Sequence, residues 1–257
     1  MRALSARDEY IANFEPRIYL AECYPEPDAE YRFGIRFMIR ALRTMPTGLL
    51  ILEFGGGPTL YTVAVLAPQA REIHFCDYVP ANLAEVQRWL DQAADAFDWQ
   101  PFIELILEEE GQPATSEAIA DRIADMRRKV TRLTTCDACA SAPLGHNTIE
   151  YDLVIARDCT DVAATTVAEW MQIVDNISSL VAPGGWLLIS ITTGTTINTE
   201  GQKVFSCVDL SDEDIYHGYL NAGYDPDTFY LNKITIPIGR EYSGATSAIA
   251  RKRNSSS

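Results

Sequence analysis

Glu53-Phe54-Gly55-Gly56-Gly57-Pro58 and Asp77 are the residues of this 257-residue chain whose types and spacing point most directly to a ligand. Three consecutive glycines after an apolar run let the backbone turn tightly against a small molecule, because no Cβ stands in the way. Pro58 opens the next helix with a fixed φ. Asp77 follows the turn by about twenty residues and ends the second apolar run, where an acid accepts hydrogen bonds from both hydroxyls of a ribose. The combination describes a nucleoside site.

The details choose among nucleosides. A dinucleotide turn reads G-x-G-x-x-G, with its third glycine allowing close helix–strand packing. Leu60 stands at that place here, which speaks against an NAD-dependent oxidoreductase. Glu53 precedes the turn. An acid there repels phosphates but attracts the amino group or sulfonium of S-adenosylmethionine (SAM), which has no phosphate. The expected cofactor is therefore SAM, with S-adenosylhomocysteine (SAH) as product. A further acid, Asp137, follows the third strand beside Ala138. It is placed to accept from an adenine amino group, and an Asp in such a loop also serves as a cap.

A third set lies in Arg157-Asp158-Cys159-Thr160-Asp161. Asp158 and Asp161 attract a cationic acceptor. They also raise its pKa, so they orient it or carry its proton away rather than act as strong bases. Arg157 pairs with Asp158 or clamps a carboxylate. The six cysteines include one CxxC, Cys136 to Cys139, with no second pair and no nearby His. The three histidines lack ligand spacing, so no metal is expected.

These residues need strands and helices to hold them. Gly48–Phe54 reads as a strand buried on both faces. Leu60–Ala67 is a short helix, Arg71–Cys76 a strand, and Ala81–Leu90 a helix with apolar spacing. Ser116–Lys129 is helical, Val130–Thr134 and Asp152–Ala156 are strands, Val162–Leu180 is a helix, and Trp186–Thr192 is a fifth strand. Such alternation predicts an α/β, doubly wound, Rossmann-like parallel sheet. In the tail, Lys203–Val208, Phe229–Ile236 and Thr246–Ala250 are strand-like around a helix at Ser211–Ala222. An antiparallel C-terminal strand pair closing the sheet fits that ending. Residues 1–47, with a helical stripe from Tyr31 to Met45, read as an N-terminal helical cap or lid on a core of residues 48–253, the whole forming a single domain.

The net charge of −15 disfavours nucleic acid and anionic membranes as partners and is friendly to a cation. No apolar run approaches the roughly 20 residues of a membrane span. The first nine residues lack the apolar core of a signal peptide, so a cytoplasmic monomer or weak dimer is expected.

Taken together the chain resembles the nicotinamide, phenylethanolamine and indolethylamine N-methyltransferase family. The resemblance runs through Tyr10 to Leu20 (with Phe14-x-Pro16-Arg17-x-Tyr19-Leu20), Gly55 to Tyr61, Asp77-Tyr78 with Asn82-Leu83, and Ala96 to Trp99. It continues in Pro143 to Gly145, Pro183 to Gly185, and Gly223-Tyr224. It implies a class I, SAM-dependent transferase acting on an amine nitrogen of a small, cationic metabolite of specialised metabolism. An O- or S-methyltransferase and a non-catalytic SAM-binding protein are the alternatives. Tyr10, Tyr19 and Tyr24 would then lie over the ligands, and Gly55, Gly57, Thr59 and Tyr61 would contact the methionine portion; Gly56, Glu53 and Arg157 are further expected cofactor residues. Asp77, Tyr78 and Asn82 would hold the ribose side, and Asp137 and Ala138 the adenine. The resemblance puts Asp161, Asp158 and Tyr19 at the reacting end, with Thr195, Cys207 and Tyr242 around the acceptor. Ile191 stands where the mammalian members carry a carboxylate, and Arg157-Asp158 where small or apolar residues are usual.

Overall fold

The structure, a computed structural model, describes residues 14–146, 149–200, 203–236 and 242–254. Helix α1 (Pro16–Cys23) and helix α2 (Ala29–Leu42) come first. Then follow β1 (Leu49–Phe54), α3 (Tyr61–Leu66), β2 (Ala70–Asp77), α4 (Pro80–Leu90), α5 (Gln100–Glu110), α6 (Ser116–Lys129) and β3 (Val130–Thr135). The second half holds β4 (Tyr151–Arg157), α7 (Val167–Ser178), β5 (Val181–Thr193), β6 (Ile197–Glu200), β7 (Lys203–Ser206), α8 (Asp212–Asn221), β8 (Tyr230–Thr235) and β9 (Gly244–Arg251).

Seven strands form one sheet in the order β3-β2-β1-β4-β5-β9-β8. Strands β1 to β5 run parallel; β9 inserts antiparallel between β5 and β8. This is the expected doubly wound sheet with its antiparallel closing pair. Every residue of β1 is buried, as a central parallel strand covered on both faces must be. Ile51, Phe75, Ile155 and Leu188 face α2 to α6, while Leu52, Phe54, Val154 and Ile189 face α7 and α8. Period-two alternation thus assigns each strand residue to one of two cores.

The two cap helices dock on the first of these layers. Leu20 and Tyr24 are buried there, and Arg17 reaches Glu85 at 3.2 Å and Asp95 at 3.0 Å. Asp28 caps α2 by accepting from the Glu30 and Tyr31 amides.

Four elements differ from the sequence expectations by more than their end residues. Helix α5 was not expected; Phe102, Ile103, Leu105, Ile106 and Leu107 are all buried, and Gln100, Glu104 and Glu108 recur along its polar side. Helix α7 starts at Val167 rather than Val162, because Thr166 and Glu169 form a reciprocal capping box. Strand β5 begins at Val181, running through Pro183-Gly184-Gly185 with a register shift against β4. Lys203–Val208 is a strand only to Ser206 and pairs with β6 as a separate hairpin. Among the described residues no helix is long and apolar enough to cross a membrane.

Candidate active site

The carboxyl ends of β1, β2 and β4 are neighbours, and the turn after β1 is fastened to β2. The Gly55 and Gly56 amides donate to the Cys76 carbonyl at 2.9 and 3.2 Å. The Gly57 amide donates to Asp77 Oδ2 at 2.8 Å. Asp77 Oδ1 accepts from the Val79 amide at 2.8 Å and from Asn82 Nδ2 at 2.9 Å. A carboxylate has about four lone-pair sites, so one remains on Oδ2. Burial pushes the Asp77 pKa up, while these three hydrogen bonds pull it back. Thr59 spends its hydroxyl proton on the Gly56 carbonyl at 2.7 Å. Gly55 has φ +66°, and a Cβ there would stand 2.7 Å from the Cys159 sulfur. Gly57 has φ +62°, but a Cβ there would meet only Thr59 Cγ2, at 4.0 Å. Its Cα therefore borders open space, the cradle a ligand needs.

Glu53 and Ile155 are register partners, and Ile51 and Ile155 belong to the cap-side core. Alternation puts Glu53 and Arg157 on that same face. Glu53 is 1% exposed, its Oε2 has no partner, and burial pushes its pKa up to about 8; Arg157 opposes this and Asp158 adds to it. The Arg157 side chain is 10% exposed. Its Cζ lies 5.2 Å over the Tyr61 ring. A Cβ on Gly34 of α2 would come within 2.7 Å of Arg157 Nη2. The expected pairing with Asp158 amounts to one contact, Nη2 to Oδ2 at 3.5 Å, and Nε and Nη1 have no partner.

Asp158 sits in the left-handed region at φ +53°, a conformation Asp tolerates better than most residues. Its amide donates to the Ser190 carbonyl at 2.8 Å. Asp161 is 1% exposed, and its Oδ2 accepts from the Thr192 amide at 3.2 Å and hydroxyl at 3.0 Å. Its Oδ1 is buried without a partner. Burial and Asp158 push the Asp161 pKa up to about 7 against the Thr192 bonds. The Val208 amide donates to the Asp161 carbonyl at 3.2 Å, which brings Cys207 alongside. Burial, with Asp161 and Asp209, pushes that thiol up to about 11.

The aromatic residues of the cap form one packed group. The Tyr19 and Tyr24 hydroxyls are 3.4 Å apart. The Tyr24 ring lies 5.0 Å from Tyr31, 5.9 Å from Tyr61 and 5.7 Å from Trp99.

Other expected residues stand further out. Asp137 Oδ1 accepts from the Cys139 amide at 2.9 Å, the capping role, and the Ala138 carbonyl accepts from Asn176. Tyr78 follows Asp77 half-buried. Thr195 is half-buried and closes a local turn with Ile197. The Tyr242 hydroxyl donates to Glu30 at 2.7 Å, tying this segment to the cap. Tyr10 lies outside the described residues. Two contributors had gone unremarked: Gly34, whose missing side chain makes room for Arg157, and Thr192, which holds Asp161. A glycine inside a helical pattern was the available signal for the first.

Among the described residues, Glu53 Oε2, Asn82 Oδ1, Arg157 Nε and Nη1, and Asp161 Oδ1 are buried polar atoms without a partner. Leaving such an atom unpaired costs about 1–3 kcal/mol, and these stand around one group of strand ends. Their acids and open glycine turn fit a cationic, phosphate-free nucleoside.

The model of the NNMT/PNMT/TEMT family matches residues 2–253. The chain belongs to that family. It is 30% identical over 229 residues to the indolethylamine N-methyltransferase of Oryctolagus cuniculus, covering 85% of each chain. It is 28% identical to the nicotinamide N-methyltransferase of Homo sapiens, covering 96% of each. Among solved structures it is similar to phosphoethanolamine N-methyltransferase 2 of Haemonchus contortus in complex with SAM, at TM-score 0.58 and 13% identity. That likeness covers 98% of this chain and 61% of the other, and shows the fold. The expected family, fold and enzyme class are the ones found: the family member described here is a SAM-dependent methyltransferase.

Proposed function

We propose that this family member methylates the nitrogen of a small cationic amine, with Asp161 as the group that receives the acceptor. The observation that carries this reading is Asp161 Oδ1, a buried carboxylate oxygen without a partner, next to the half-exposed Asp158. The similarity to indolethylamine and nicotinamide N-methyltransferases and the net charge of −15 support it.

When bound, SAM supplies an electrophilic methyl group on its sulfonium. The glycine turn and the remaining Oδ2 lone pair of Asp77 would hold the adenosine, and Glu53 the positive end. Tyr19 and Tyr24 would close over the ligands from the cap. Displacement on a sulfonium needs alignment and exclusion of water rather than a protein nucleophile. An ammonium must lose its proton before it can attack. Asp161 Oδ1 both attracts that cation and, with its pKa raised to about 7, is matched to take the proton near neutrality. Thr192 fixes the other oxygen, so Oδ1 is the one presented.

Incubation with methyl-labelled SAM and a panel of small amines, each beside its alcohol and thiol analogue, tests the reading. Label on nitrogen supports it; label only on oxygen or sulfur rejects it.

A further inference from the structure

Arg157 is a buried cation that the reaction outlined above does not use. Two of its three guanidinium nitrogens, Nε and Nη1, are buried without a partner among the described residues. The third has one 3.5 Å contact to Asp158, whose side chain is 43% exposed and therefore well screened by solvent. The guanidinium is held in place from two sides. It lies over the Tyr61 ring, and it occupies the space that a side chain at position 34 would fill. Stacking on an aromatic face fixes the plane of an Arg fork without consuming its in-plane donors.

A fixed, planar, unpaired fork in a desolvated place is the complement of a carboxylate, which it takes with two parallel hydrogen bonds. Glu53 is a buried acid on the same face of the neighbouring strand, yet the two make no ion pair within 4 Å among the described residues. Glu53 Oε2 and Arg157 Nε and Nη1 are thus each left without a hydrogen-bond partner. An α-amino acid end carries one of each, an ammonium for Glu53 and a carboxylate for Arg157.

We propose that Arg157 is a carboxylate receptor, and that the carboxylate it takes is that of the methionine end of the cofactor. The proposal rests on SAM being the cofactor. A carboxylate on the methyl acceptor is the other source of the same chemistry, and a second measurement separates the two.

SAH carries the amino acid end, whereas 5′-methylthioadenosine lacks it. Calorimetric binding of both nucleosides to wild type and to Arg157→Gln reads the difference. The expected result is a loss of about 30-fold in SAH affinity, the scale of a charged hydrogen bond. 5′-Methylthioadenosine should bind the variant within about threefold of wild type, which also shows the variant folded. Arg157→Lys, which keeps the charge but not the fork, should lose about fivefold. Benzoate titrated into the enzyme–SAH complex is the second measurement. Unchanged SAH affinity, with benzoate binding the wild-type complex and not the variant complex, assigns the receptor to an acceptor carboxylate instead. If Arg157→Gln binds SAH and benzoate as wild type does, Arg157 is no carboxylate receptor and the proposal is overturned. If wild type itself binds neither nucleoside, the cofactor reading fails first and takes the proposal with it.

Discussion

Asp161 and Thr192 are joined twice through a single carboxylate oxygen, by the Thr192 amide at 3.2 Å and its hydroxyl at 3.0 Å, leaving Oδ1 buried without a partner among the described residues. The ends of β4 and β5 thus present one oxygen of one acid. Asp161 is pushed up to about 7 by burial and by Asp158, opposed by Thr192, with Cys207 alongside. The ionised form attracts an ammonium, so kcat/KM for an amine should rise with pH through about 7. Asp158→Asn should move that limb to lower pH by removing the neighbouring charge, and Asp161→Asn should abolish it. A pH–rate profile of the three proteins checks this; a limb that persists in Asp161→Asn contradicts it.

Glu53 gives a stability signature. Its native pKa is pushed up to about 8 by burial, against Arg157 and with Asp158, and Tyr61 shares the same buried surroundings. The folded chain keeps a proton there that the unfolded chain has lost. The stability tied to that proton is complete below about 4.5 and is lost as pH rises through about 8. Glu53→Gln should flatten the fall in Tm between pH 5 and pH 8.5 and raise Tm at the alkaline end by about 2–6 °C. Thermal melts across pH measure both; parallel curves for wild type and variant would refute it.

The two left-handed glycines of the turn should behave differently. Gly55→Ala places a methyl 2.7 Å from the Cys159 sulfur and should cost about 2–4 kcal/mol of stability. Gly57→Ala meets nearly empty space. It should cost only the backbone strain of about 1–2 kcal/mol, while its methyl fills the cradle and weakens SAH binding at least about tenfold. Melts and calorimetry on both variants decide; a Gly57→Ala protein that binds SAH normally removes the turn from the site.

Asp77 organises the turn before it meets any ligand. Asp77→Asn keeps the shape but places an NH2 against either the Gly57 amide or the Val79 amide, whichever way it is turned. Donor facing donor should cost about 1–3 kcal/mol. Affinity for SAH and for 5′-methylthioadenosine should fall together, since both carry the ribose. A loss confined to SAH would place Asp77 at the amino acid end instead.

Much of this architecture was readable in advance, and the reasons are local. Leu49 to Leu52 is apolar throughout, which only a strand covered on both faces tolerates. The glycine run after it and Asp77 twenty residues on are read from spacing alone. Helix α5 escaped because its apolar run, Leu105-Ile106-Leu107, is as short as a strand's, although Gln100, Glu104 and Glu108 do recur at helical spacing. Arg157 and Asp158 looked like a pair because they are adjacent in sequence. They do meet, at 3.5 Å, while the bare Gly34 on α2 leaves the space that the guanidinium takes over the Tyr61 ring. Tyr242 bonding to Glu30, and Thr192 gripping Asp161, depend on elements far apart in sequence, which no local pattern contains.

Amine methylation received by Asp161 is tested most directly by kcat/KM for matched amine and alcohol acceptors with SAM, in wild type and Asp161→Asn. Wild type should prefer the amine by at least about 100-fold, and Asp161→Asn should lose about 10–100-fold on the amine while binding SAH within about twofold of wild type. Equal use of amine and alcohol by wild type, or an Asp161→Asn enzyme as fast on the amine as wild type, would contradict it.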